Sequence, residues 1–135
     1  MGSELHRDEF GTIIHYPDDG ILELRWLKAS ARMSDQDFML SMERYAGLAG
    51  HHRTPNMIVD IRDFLHNPGE DVAAWREENI IPSYNAAGVR KFAFLLPEGA
   101  PGSVESGSGP ATEPPGDFPT GYFASRERIL DWFQR

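Results

Sequence analysis

Apolar positions along the chain change their spacing several times, and each change marks an element. Phe10 to Tyr16 and Ile21 to Leu27 are short runs rich in Ile, Leu and aromatics, the composition of strands. Pro17-Asp18-Asp19-Gly20 lies between them, with proline presetting one φ and glycine supplying a positive one, so the two runs form a hairpin. In the second run Leu22, Leu24 and Trp26 alternate with Glu23 and Arg25, which predicts one buried face and one at least partly wet. From Ser34 the spacing becomes helical. Ser34 is the N-cap, Asp35 and Asp37 sit in the first turn, and Phe38, Met42, Tyr45 and Ala49 form an apolar stripe flanked by Met39 and Ala46. Gly50 is the expected left-handed stop, followed by the polar turn His51 to Pro55.

The segment from Asn56 to Leu96 organises the rest. Met57-Ile58-Val59-Asp60-Ile61-Arg62 reads as a strand, and so does Phe92-Ala93-Phe94-Leu95-Leu96, whose unbroken apolar run fits an interior position. A helical stretch from about Asp71 to Ala87 joins them, and a crossover of this kind makes the two strands parallel. Its pattern is irregular. Ala73, Ala74, Ile80, Ile81 and Tyr84 share one face, with Glu77 near its middle, while Val72 and Trp75 point nearly opposite. Pro82 removes an N–H and disfavours αR at Ile81, so the helix kinks or restarts there. Gly88 closes it. Residues 97–121 follow, 15 of 25 being Gly, Pro or Ser, which predicts a surface loop too poor in apolar groups to offset its own ordering. Tyr122-Phe123 is at most a short edge strand. Ser125 then caps a helix carrying Ile129, Leu130, Trp132 and Phe133. The predicted order is β-β-α-β-α-β-(β)-α: one α/β domain over residues 1–135, with a mixed sheet of four to five strands.

Composition narrows the function classes. The 135 residues include no cysteine, which removes disulfides, iron–sulfur clusters and thiol catalysis. Net charge is −8, the two lysines and eleven arginines are scattered, and a phosphate backbone or an anionic bilayer would need them clustered. Nucleic acid and membrane insertion are therefore not expected, and no apolar run approaches the roughly 20 residues of a membrane span. The polar start of the chain has no signal-peptide core, and a cytoplasmic location is the expectation.

Four stretches together resemble the STAS domain superfamily, in particular its SpoIIAA-like (STAS/SEC14-type) branch: the hairpin strand Ile21-Leu22-Glu23-Leu24, the central Val59-Asp60-Ile61-Arg62-Asp63-Phe64, the approach Gly88-Val89-Arg90-Lys91-Phe92-Ala93-Phe94, and the closing Tyr122 to Phe133. The resemblance implies a non-enzymatic domain that binds partner proteins, nucleotides or small ligands. Some members are anti-sigma-factor antagonists, so an anti-sigma-type signalling partner is one implied role. Their switch serine lies in the turn after the central strand. Here that turn, Asp63 to Asp71, has neither Ser nor Thr, so the phosphoswitch does not carry over.

The remaining candidates are few. Asp60, Asp63 and His66 sit at the end of the central strand, where open α/β sheets place ligands, and could serve a small enzyme or a divalent ion. Ion pairing and turn capping account for the same residues. His51-His52 are adjacent and rarely converge on one ligand; a helix C-terminus explains them better. No serine has the setting of a nucleophile. Phe38, Met42 and Tyr45 are core residues that could also line a hydrophobic ligand cavity. Trp75, with Val72, either packs on the sheet or forms the patch of a homodimer. The leading expectation is a non-catalytic domain, without cofactor, that binds a small hydrophobic ligand or a protein partner and is a homodimer.

Overall fold

Six strands form one mixed sheet in which spatial order follows chain order. They are β1 (Ser3–Arg7), β2 (Gly11–Tyr16), β3 (Ile21–Trp26), β4 (Asn56–Asp60), β5 (Lys91–Leu95) and β6 (Thr120–Phe123). The helices are α1 (Asp35–His52), α2 (Glu70–Asn79), α3 (Ile81–Ala87) and α4 (Arg126–Phe133). This computed structural model describes residues 2–67, 69–97 and 119–134, and the backbone but not the side chain of Ala73. Most of the Gly/Pro/Ser-rich stretch 97–121 lies outside the described residues.

Strands β1, β2 and β3 are antiparallel, and β3 to β6 are parallel. The two central strands pair in the same direction, Asn56 opposite Lys91 through Asp60 opposite Leu95, with α2 and α3 as the crossover. Six strands replace the expected four to five. Ser3–Arg7 joins β2 by main-chain pairing, although its polar side chains carry no strand signal. Tyr122-Phe123 grows into the four-residue β6.

Side chains alternate across the sheet, and each face has its own cover. Leu22, Leu24, Trp26, Met57, Val59 and Phe92 meet α1 residues Phe38, Met42, Tyr45, Ala46 and Ala49, together with Val72, Ile80, Ile81 and Tyr84. On the other face Ile21, Ile58, Ala93, Leu95 and Phe123 pack with Ile129 and Trp132 of α4. The face expected to be partly wet at Glu23 is covered, and Glu23 has no exposed surface.

Local chemistry explains the helix ends. Ser34 and Asp37 form a reciprocal capping box at α1. Gly50 does not end that helix. It runs on to His52, and Arg53 takes the left-handed conformation with φ 50°. The crossover breaks where Pro82 predicts, with Ile80 between α2 and α3. The break also corrects the assignment of faces. Val72 is buried in the core beside Ile80 and Tyr84, Ala74 is exposed, and Trp75 is half-buried at the rim.

Candidate functional site

At the carboxyl ends of β3, β4 and β5, side chains from three helices and one loop enclose a cavity of about 110 Å³. Trp26, Val59 and Phe92 line its sheet side, with Ile61 and Phe94 at the edge. Phe38 and Met42 come from α1, Arg76 from α2, Tyr84 from α3 and Phe64 from the loop after β4. The position follows from topology: parallel strands leave a crevice at their carboxyl ends where crossover helices begin. Aromatic packing shapes the walls. Trp26 stacks on Phe38 at 5.6 Å between ring centroids, and Phe64 lies 5.1 Å from Trp26 and 5.8 Å from Phe38.

The loop bearing Phe64 is held at two points. Buried Ser30, in the short 3-10 turn Lys28–Arg32, accepts from the Leu65 N–H at 2.9 Å and donates to the Asp63 carbonyl at 3.4 Å. Asp35, in the first turn of α1, pairs with His66 Nε2 at 2.8 Å and accepts from the Gly69 N–H. His66 also rests against Phe38, 5.8 Å between centroids.

The three acid–base candidates of the central strand are thus not brought together. Asp60 is 2% exposed, forms a two-pronged bond to Arg62 at 3.0 and 2.7 Å, and holds the guanidinium's pKa above its usual value. Asp63 is exposed in the turn, and His66 is engaged by Asp35. Among the described residues no group of three or more His, Asp or Glu is placed to hold a metal ion.

Of the stripe residues, Phe38 and Met42 line the cavity. Tyr45 is fully buried, and its hydroxyl lies 2.7 Å from the Leu22 carbonyl and 2.8 Å from that of Ile58, sharing one proton between two strands. Burial, then Tyr84 and Glu23, pushes its phenol well above the usual range. Burial also raises Tyr84, opposed by the Arg76 guanidinium. Both phenols stay protonated near pH 7, so neither can accept a proton as a base there. The cavity can enclose an apolar group and offer it one cation.

Trp75 lines a separate polar cleft with Glu43, Ala46, Gly47, Asn79, Ile80 and Ser83. Trp26, Phe64, Arg76 and Ser30 were not singled out from the sequence. An apolar residue at the end of each parallel strand was a usable signal for Trp26, Ile61 and Phe94. Arg76 had none, because the broken periodicity of its helix hid which face it occupies.

A second charged cluster lies on the opposite face. Glu23 accepts from Arg25 at 3.1 and 3.0 Å and from Arg126 of α4, while Asp60 binds Arg62. Three guanidinium groups thereby surround two buried carboxylates. None of the described helices is long and apolar enough to cross a membrane. No family model matches the chain, and no curated protein or solved structure matches it either.

Proposed function

We propose that this chain is a STAS-like, SpoIIAA-like binding domain that takes a small hydrophobic ligand into the cavity at the carboxyl edge and catalyses no reaction. The observation that carries the reading is the cavity itself. An aromatic-lined recess of about 110 Å³, open at one side, can exchange water for an apolar group of matching size. The element order supports the family side of the reading: a hairpin, parallel strands joined by helices, and a closing tryptophan-bearing helix. Apart from the Arg76 guanidinium and the Tyr84 hydroxyl the lining is apolar, which suits retention of an apolar group. With neither Ser nor Thr between Asp63 and Asp71, the domain works without the family's serine switch.

The test fills the mouth. Ile61 is half-buried, so Ile61→Trp adds volume there without rebuilding the core. Ligand-observed NMR with small apolar and amphipathic compounds is expected to show saturable binding to the native chain and none to the variant, at unchanged melting temperature. A native chain that binds nothing in such a panel, or a variant that binds as well as native, would reject the reading.

A further inference from the structure

We propose that the ligand of this cavity is an organic anion, a carboxylate with a compact apolar body, and that Arg76 reads its charge. The inference rests on the binding role above and adds the ligand's chemical class.

Arg76 is the cationic residue of an otherwise aromatic and aliphatic lining. Ion pairs occupy Arg7, Arg25, Arg32, Arg44, Arg62 and Arg126. Among the described arginines that form none, Arg53, Arg90 and Arg128 are exposed, while Arg76 is half-buried against the cavity. A guanidinium partly withdrawn from water and given no carboxylate among the described residues is a site prepared for one, because bidentate pairing strengthens as water is excluded. Its place in the last turn of α2 suits a cation and accounts for its being basic. It does not account for its lining an apolar space. The neighbouring phenol of Tyr84 adds no competing charge, since burial keeps it protonated.

Volume limits the body. An engineered apolar cavity of about 150 Å³ accepts benzene, and this one is about 110 Å³ and open at one side. One six-membered ring or a short branched chain fits, with the carboxylate at the mouth. A drug-sized molecule, needing about 300 Å³ or more, does not.

The experiment compares shape-matched pairs on the native chain by calorimetry or NMR titration: benzoate with benzyl alcohol, and 3-methylbutanoate with 3-methylbutan-1-ol. At least one acid is expected to bind about tenfold or more tightly than its alcohol. Arg76→Leu, which keeps the apolar stem, should erase the difference, and Arg76→Lys should retain part of it. Equal affinity of acid and alcohol for the native chain overturns the anion inference and leaves the binding role standing. A preference that survives Arg76→Leu also overturns it. If none of the four compounds binds, this inference falls, while the wider panel and the Ile61→Trp comparison judge the binding role separately.

Discussion

Arg126, at the start of α4, donates to the carboxylate of Glu23, which β3 holds with no exposed surface. The contact joins residues 103 positions apart. It fixes one end of α4 on the sheet, and Lys91 fixes the other by donating to the Trp132 carbonyl at 2.6 Å. Removing one partner of a buried pair leaves a desolvated charge, which costs about 3–5 kcal/mol when nothing else answers it. Arg25 still reaches Glu23, so Arg126→Ala is expected to cost about 2–3 kcal/mol in urea unfolding. Glu23→Gln combined with Arg126→Met should cost less than the sum of the single changes. A loss below about 0.5 kcal/mol for Arg126→Ala would make the clasp irrelevant to stability.

Tyr45 ties β3 to β4 through one hydroxyl, and Tyr45→Phe deletes only that. Two buried carbonyls lose a donor, and a loss of about 1–2 kcal/mol is expected. An unchanged midpoint in urea would show that main-chain pairing already suffices.

The same phenols govern behaviour in alkali. Burial raises the pKa of Tyr45, and of Tyr84, above the ordinary value near 10. A group whose folded pKa is raised contributes stability below its unfolded pKa and loses it as pH climbs. Stability should therefore decline from about pH 10 upward, with tyrosine absorbance rising together with unfolding. Full phenolate absorbance in a chain that keeps its native circular dichroism would contradict the burial of both.

His52 behaves in the opposite sense. Desolvation, then the neighbouring His15 and His51, lowers its pKa, and its ring lies 4.3 Å from that of His15. The folded pKa is below the unfolded one, so the contribution is present above the ordinary value near 6.5 and is lost as pH falls. In an NMR titration His15→Gln should move the His52 midpoint upward. No movement would mean that the His15 ring exerts no field on it.

The loop over the cavity should loosen when its tethers go. Ser30→Ala removes the acceptor for the Leu65 N–H, a part-buried contact, and is expected to cost about 1 kcal/mol. Asp35→Ala frees His66 and the Gly69 N–H. Faster hydrogen exchange at Leu65 and Gly69, with β4 amides unaffected, is the expected pattern. Protection that does not change in either variant would show the loop to be held by Phe64 alone.

Most decisions that depended on neighbours in the chain were legible, the stop expected at Gly50 being an exception. The Pro17 to Gly20 hairpin, the Ser34 cap, the Phe38-Met42-Tyr45 stripe and the break at Pro82 each rest on a few consecutive residues whose φ, donors or spacing allow one local answer. The parallel direction of β4 and β5 was legible for a related reason, since a helical crossover returns the chain that way.

Other outcomes depended on partners remote in sequence. Glu23 alternates like a solvated strand residue, but α4 and Arg126 cover it from the far end of the chain. Val72 and Trp75 look like one outward pair, but the restart at Ile80 turns Val72 into the core and leaves Trp75 at the rim. Ser3–Arg7 becomes a strand through main-chain bonds to β2, which its polar side chains do not encode. Periodicity and turn chemistry along the chain thus determined most of the elements and the apolar faces of α1 and of the parallel strands. Only the assembled sheet decided what lies against each face, because burial and ion pairing are set by groups that meet after the chain has folded back on itself.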